Sequence, residues 1–165
     1  MMNIEGTHCI AASREVVWAA LNDPAALCAF IPGCESIEAH GPNDMAAVVV
    51  VKVGPVRARF TGRVKLACVD PPNSYTIVGE GQGGIAGHAK GEAKVRLVSN
   101  AAGTVLTYVV TSQVGGKLAQ LGLRLIEGTA RKLAGEFFAR FAARLEPKAS
   151  AAPREPNGES PVSAR

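Results

Sequence analysis

Residues 57–68, with the sequence RARFTGRVKLAC, decide the fold class, because polar and apolar side chains alternate along them with a period of two. Such alternation is typical of an antiparallel strand with one buried face and one face in water. Residues 88–97, HAKGEAKVRL, repeat the pattern. Turn-forming Gly, Pro, Asn and Asp residues recur between positions 41 and 103. We therefore predict six short strands joined by tight turns between residues 35 and 113.

The segments on either side of this meander complete the predicted fold. Residues 3–11 have the pattern of a further strand, and Ser13 and Asp23-Pro24 are typical starts of two short helices. Residues 116–145 carry apolar residues at helical spacing, which predicts one long amphipathic helix that ends before Pro147. The predicted class is α+β, with a seven-stranded antiparallel sheet curved around the C-terminal helix and two short helices after strand 1.

Length and composition predict a single folded domain with a tail. The chain has 165 residues, of which 47% are hydrophobic and 19% charged, and this composition excludes disorder of the whole chain. We assign the domain to residues 1–146 and predict that residues 147–165, rich in Pro, Ala and Ser, are disordered. The four cysteines form no C-x-x-C pair, and we interpret them as small, reduced core residues of a cytosolic protein.

The net charge of +4 comes from one segment. Residues 116–145 contain six basic and two acidic side chains, whereas basic and acidic residues balance elsewhere. Lys117, Arg124 and Arg131 recur at intervals of seven and share one face of the predicted helix. This face is either an ordinary solvated surface or a docking site for an acidic partner or an anionic membrane. The charge is too low for a dedicated nucleic-acid binder.

The motifs that could carry chemistry give weak signals. Residues 79–84 fit G-x-G-x-x-G, but a strand follows them where dinucleotide binding needs a helix. His8 shares a face with apolar residues, and a lone inward histidine is more often part of a core than a general base. We find no pair of inward carboxylates, no nucleophile–base pair and no metal-ligand spacing. The sequence therefore predicts no cofactor, no metal site and no enzyme activity.

Small residues on the inward faces of both sheet and helix predict either close packing or an apolar cavity, and the curved sheet favours the cavity. Tyr108, on the inward face of the last strand, could bind a polar ligand group or a structural partner through its hydroxyl. Six residues are expected to point into the interior and to lie near the opening of the cavity. We therefore predict the following ligand-binding residues: Phe30, Phe60, Leu106, Tyr108, Leu121 and Leu125.

Several motifs together resemble one known family. They are IPGCES at 31–36, KVGPV at 52–56, DPPNSY at 70–75, AKG at 89–91 and GGKLAQLG at 115–122. Their order and spacing over residues 2–145 are similar to the G-subunit family of aerobic carbon monoxide dehydrogenase, within the START-related (SRPBCC) superfamily. The resemblance implies a helix-grip fold around an apolar cavity, an accessory role beside a molybdenum-containing dehydrogenase, and binding of lipophilic molecules such as quinones.

The resulting expectation is a non-enzymatic accessory protein that binds a quinone or lipid between sheet and helix. The alternative is an assembly or membrane-recruitment factor that docks the dehydrogenase through its basic helix and has an incidental cavity. A third hypothesis is a small hydrolase or cyclase that uses His8. Some members of the family carry a hydrophobic C-terminal anchor, whereas this tail is polar. We therefore expect a cytoplasmic protein whose membrane contact, if any, is peripheral on the inner face.

Overall fold

The computed structural model describes residues 2–150, with side chains to residue 146. A strand, two short helices, six strands and a long helix follow each other along this part of the chain. Their bounds are β1 Met2–Ile10, α1 Arg14–Leu21, α2 Pro24–Phe30, β2 Cys34–Ala39, β3 Asp44–Val53, β4 Val56–Asp70, β5 Ser74–Gln82, β6 His88–Asn100, β7 Gly103–Gly115 and α3 Leu123–Ser150. Two 3₁₀ helices, Gly84–Ala86 and Gly116–Leu121, connect β5 to β6 and β7 to α3.

The seven strands form one antiparallel sheet in the order β1-β7-β6-β5-β4-β3-β2. Apart from β1, each strand is paired with its neighbour in the chain, as a meander requires. β1 pairs with β7 along its full length, from Met2 opposite Ser112 to Ile10 opposite Thr104. The predicted fold class, with seven antiparallel strands, two short helices after the first strand and a long C-terminal helix, is confirmed.

Local sequence signals fix the two short helices. The Ser13 side chain accepts a hydrogen bond from the Val16 amide at 3.2 Å, and the Asp23 side chain accepts one from the Ala25 amide at 3.1 Å. Each side chain satisfies an amide that the first helical turn leaves unpaired. Thr104, which is 1% exposed, donates its hydroxyl to the Ala12 carbonyl oxygen at 2.7 Å and ties β7 to the start of α1.

The main hydrophobic core occupies one end of the space between sheet and helices, which we call the packed half. It combines inward side chains of β1, β5, β6 and β7 with α1, α2 and the C-terminal part of α3. Its buried members are Ile10, Ala12, Val17, Leu21, Phe30, Tyr75, Val95, Leu97, Leu106, Phe141 and Leu145.

The long helix differs from its prediction at both ends. Residues 116–121 form a 3₁₀ helix, and α3 begins only at Leu123. The break lies at Gly122, whose φ of +96° is incompatible with a helix and readily adopted only by glycine. At the other end, α3 continues past Pro147 to Ser150, because the fixed φ of proline fits a helix at the loss of one N–H donor. Residues 151–165, the rest of the predicted tail, lie outside the described residues.

The prediction that all four cysteines are core residues is also wrong. Cys9 and Cys68 are exposed, whereas Cys28 and Cys34 are half-buried. Cys9 lies between the inward-facing His8 and Ile10, so the strand period directs its side chain to the solvent face.

Candidate functional site

The long helix α3 is packed tightly along only part of its length. Within the described chain its main contacts are with β1, β3, α2 and the second 3₁₀ helix, so it lies across the sheet and is held at the sheet's two sides. In its C-terminal part, Phe141 and Leu145 are 0% and 4% exposed. Near its start, Leu123 and Leu125 are 50% and 39% exposed. The N-terminal half of α3 therefore leaves the central strands largely uncovered.

A band of very small residues crosses the inward face of these central strands. Gly62 of β4 is opposite Gly81 of β5, and Gly79 of β5 is opposite Gly91 of β6. A Cβ atom built on Gly79 would meet, within 4 Å and among the described residues, only the Arg63 carbonyl oxygen at 3.6 Å and Val64 Cγ2 at 3.7 Å. Both atoms belong to β4, so the space above Gly79 is open toward the helix.

We call this end of the interior the open half. Several of its inward side chains are apolar and only half-buried, although Ile4, opposite Val110, and Ala58, opposite Val51, are buried. The side chains and glycine that define it are Val49, Val51, Phe60, Val64, Gly79, Val110 and Leu133. One polar atom faces the same way: Ser112 Oγ, on β7 opposite Gly91, is buried and has no hydrogen-bond partner in the described part of the chain.

The predicted ligand-binding residues are divided between the two halves. Phe30 and Leu106 are 3% and 1% exposed and belong to the packed half, where Phe30 meets the Phe141 ring edge-on at 5.3 Å. Phe60 lies in the open half, and Leu121 is half-buried at the end of the second 3₁₀ helix. Their ligand-binding role stays a prediction.

Leu125 lies at the rim of the open half, against the turn between β3 and β4. A Cβ built on Gly54 in that turn would be 2.8 Å from Leu125 Cδ2. The first turn of α3 therefore touches the hairpin through one leucine, and the remainder of that leucine faces solvent.

Tyr108 is part of an aromatic stack between the two halves. Its ring is 5.4 Å from that of Phe138 of α3, and His8 of β1 stacks on the same Phe138 at 3.9 Å. His8 points inward, as predicted, and burial lowers the pKa of its imidazole, so the ring is neutral at pH 7. The Tyr108 phenol lies directly over Gly6 of β1, where a Cβ would be only 2.7 Å from the Tyr108 hydroxyl.

Sequence reasoning missed Phe138 and Ser112. Phe137 is one of the apolar residues at helical spacing in 116–145, and Phe138 directly follows it. Only the folded structure shows that both rings face the interior. Ser112 carries no sequence signal beyond its position in an alternating strand.

The three predicted docking residues are all exposed but do not form one helical face. Lys117 lies in the second 3₁₀ helix, before the break at Gly122, so the seven-residue spacing does not align it with α3. Arg124 and Arg131 both lie on α3 and share a face. Among the described residues neither is in a salt bridge.

Two grooves border this region. A side groove of about 420 Å³ runs between β3, α3 and the turn after α2, with Val51 and Leu133 in its wall and Lys52 and Lys132 among its charged residues. A larger groove of about 790 Å³ lies on the outer, polar face of the sheet, where charged side chains such as Arg63, Glu80 and Lys90 line it. The side groove shares Val51 and Leu133 with the open half, and the outer groove shares Gly79 with it.

A comparison with protein families decides what kind of protein carries this site. The family model for the carbon monoxide dehydrogenase G subunit (CoxG) matches residues 6–146. The chain belongs to the CoxG family. This finding confirms the resemblance in the sequence motifs. No curated protein matches the CoxG-family chain.

Solved structures similar to this CoxG-family chain include a conserved protein from Geobacillus kaustophilus. It is 29% identical, with 89% of this chain and 97% of that chain covered and a TM-score of 0.83. The Zhui aromatase/cyclase of a Streptomyces species is 20% identical over 92% of this chain and 97% of its own, with a TM-score of 0.63. A START superfamily protein from Mycobacterium smegmatis is 14% identical over 88% and 98%, with a TM-score of 0.68. The last two likenesses concern the fold alone.

Two further observations concern metals and membranes. Across residues 2–150, His, Cys, Asp and Glu side chains form no group of three or more that could hold a metal ion. Over the same residues, none of the helices combines the length and apolar composition of a membrane span.

Proposed function

We propose that this CoxG-family protein is a non-enzymatic accessory protein that binds a hydrophobic small molecule, a quinone or lipid, in the open half between sheet and α3. It serves a molybdenum-containing dehydrogenase of the carbon monoxide dehydrogenase type by holding that molecule near the redox partner. The proposal places the protein in the cytoplasm, with any membrane contact peripheral and on the inner face.

The observation that carries this proposal is the open space above Gly79. Apolar side chains surround it, and no atom of α3 in the described structure lies within 4 Å of the Cβ position on that glycine. Covering such a surface with an apolar ligand contributes about 25 cal/mol for each Å² removed from water. Ser112, and Tyr108 at the border, are the polar side chains that could orient a polar head group.

Turnover of the bound molecule is the rival outcome, because one structural neighbour is an aromatase/cyclase. His8 is the candidate general base on the inward face, but its imidazole is stacked on Phe138 at 3.9 Å and belongs to the aromatic packing of the interior. This arrangement supports binding without chemistry. Recovery of an altered ligand after incubation, lost in a His8→Ala variant, would support an enzyme instead.

A Gly79→Leu substitution tests where the ligand binds. The new side chain points into the open half, and its Cβ makes only ordinary van der Waals contacts, so we expect the fold to persist. The filled space should weaken binding of decylubiquinone and of oleate, used as quinone and lipid probes, by at least about tenfold, which is 1.4 kcal/mol. Isothermal titration calorimetry and native mass spectrometry measure this loss.

The matched control is Val78→Leu, at the adjacent position of β5. Val78 is 46% exposed on the outer face of the sheet, so the added methylene lies in solvent and binding should remain that of the unaltered protein. Equal affinity of the Gly79→Leu and Val78→Leu variants for a bound probe would place the ligand elsewhere. Failure of either probe to bind the unaltered protein would remove the support for a quinone or lipid carrier.

A second proposed role, docking of the dehydrogenase, rests on the exposed Arg124 and Arg131 of α3. The double Arg124→Glu, Arg131→Glu variant should abolish a complex with the molybdenum-containing dehydrogenase of the same host, because both attractive contacts become repulsive. Size-exclusion chromatography of the mixture detects the complex. Raised salt should weaken it in the unaltered protein, since exposed charges are screened over about 10 Å at 0.1 M.

The control for docking changes the net charge equally at other exposed sites. Arg140 lies on nearly the opposite side of α3 from Arg131, and Lys94 lies on the outer face of β6. The Lys94→Glu, Arg140→Glu variant should therefore retain the complex. Loss of the complex in both double variants would indicate a nonspecific charge effect, and retention in both would exclude this face of α3.

A further inference from the structure

Two of the four cysteines are in direct contact. Cys28 lies in the last turn of α2 and Cys34 is the first residue of β2, and their Sγ atoms are 2.9 Å apart. Cys34 Sγ also lies 3.6 Å from the Ser36 carbonyl oxygen, which holds its side chain in place. Cys9 and Cys68 are exposed on other strands, so only one cysteine pair of this protein is prearranged for a joint reaction.

We propose that Cys28 and Cys34 form a dithiol modification site that exchanges with low-molecular-weight disulfides, of which oxidised glutathione is the model. The Cys28 thiolate attacks one sulfur of the small disulfide, forms a mixed disulfide and releases one small thiol. The Cys34 thiolate then attacks Cys28 Sγ, forms the intramolecular disulfide and releases the second small thiol. The two protein thiols are oxidised, the small disulfide is reduced to two thiols, and no other reactant is consumed.

The order of attack follows from the surroundings of the two sulfurs. Burial, with the Cys28 thiol and the Glu35 carboxylate nearby, raises the pKa of Cys34 to about 12, so this thiol is protonated at neutral pH and is a poor first nucleophile. In the second step, the contact between the two sulfurs compensates for the small fraction of Cys34 thiolate. An attacking group that already lies beside its target reacts at a high effective concentration.

The position of the pair gives the modification a structural consequence. Between the cysteines the chain makes the turn Ile31–Gly33, and Pro32 and Gly33 line the side groove beside the open half. Gly33 accepts a hydrogen bond from the Val50 amide of β3 at 2.9 Å. A Cys28–Cys34 disulfide would tie α2 to β2 across this turn and fix one wall of the side groove.

The test exposes the full-length protein to mixtures of oxidised and reduced glutathione, followed by acid quenching, alkylation with N-ethylmaleimide and peptide mass spectrometry. We expect a peptide pair linked through Cys28 and Cys34, with the loss of two hydrogens and of two alkylation sites. Cys9 and Cys68 are internal references, and the products expected at these exposed thiols are mixed disulfides with glutathione. The linked pair should appear at a concentration of oxidised glutathione at least about tenfold below that needed to modify the references.

A Cys34→Ser variant separates the two steps, because it leaves the attacking thiol without its partner. It should accumulate the glutathione adduct at Cys28, whereas a Cys68→Ser control should still form the linked pair. The proposal is overturned if Cys28 and Cys34 remain alkylatable, or carry separate glutathione adducts, when Cys9 and Cys68 are fully modified. This readout is independent of ligand binding, so it stands or fails separately from the proposed carrier function.

Discussion

A Phe141→Ala variant is expected to lose about 3–5 kcal/mol of unfolding free energy, the largest effect expected for a single truncation in α3. Phe141 is 0% exposed and packs against Phe30, Phe137 and Phe138, with ring centroids 5.3 to 6.3 Å away. Alanine leaves a cavity among rings that can relax only partly. Because alanine is the best helix former, the loss would come from packing and not from helix propensity. Chemical denaturation measures it.

Leu123→Ala is the reference for this measurement. Leu123 lies on the same helix but is 50% exposed, so its truncation should change the unfolding free energy by no more than about 0.5 kcal/mol. A loss below about 1 kcal/mol in Phe141→Ala would mean that the C-terminal part of α3 is not an integral part of the core.

A Gly87→Ala variant is expected to lose more than about 3 kcal/mol, because two costs combine at this position. Gly87 has a φ of +124°, which side-chain-bearing residues rarely adopt. A Cβ there would also overlap the Gly115 carbonyl oxygen, a backbone atom that cannot swing aside. The contact joins the start of β6 to the end of β7, so relief of the clash should disturb the second 3₁₀ helix as well. Thermal and chemical unfolding both report the loss.

Gly41→Ala separates these two costs. Gly41 has nearly the same φ, +122°, but a Cβ built on it would meet no atom within 4 Å in the described structure. Its substitution therefore carries only the conformational cost of about 1–3 kcal/mol. Equal losses in the two variants would show that the backbone at Gly87 adjusts and that the close approach to Gly115 contributes nothing.

The sheet was predictable because its information is local. In residues 57–66 and 88–97 the side-chain period assigns each residue to one face, and turn residues mark the strand ends. The period fails at Cys68, which is exposed because the pairing of β4 with β5 shifts its register between Ala67 and Asp70. The prediction of the long helix was wrong at its start, because side-chain spacing was used to infer that the helical backbone is continuous from residue 116. In the sequence, Leu118 and Leu121 continue the helical spacing of the apolar residues of α3, but this spacing does not reveal that Gly122 interrupts the helix.

The candidate site was predictable only in part. The alternation of residues along a strand shows which side chains point inward, but it does not show how deeply each one is buried. Phe30 and Leu106 point inward as predicted, yet they are buried in the packed half, at a distance from the rim where Leu125 lies. The sequence distinguishes inward from outward, whereas position along the strand depends on how α1, α2 and α3 cover the sheet. The stack of Phe138 on His8 could not be predicted for the same reason, since it depends on how α3 covers the sheet and joins residues 130 positions apart.

The uneven attachment of α3 gives the helix two different stabilities. Its C-terminal part, anchored by Phe141 and Leu145, can separate from the sheet only when the whole domain unfolds. Its first turns, with Leu123 and Leu125 partly in water and Gly122 just before them, have few buried contacts to break. Local opening of this segment costs far less free energy than global unfolding. Amide hydrogens in the first turns of α3 should therefore exchange much faster than those near Phe141 and Leu145. Opening of these first turns would also set how fast a small molecule reaches the interior.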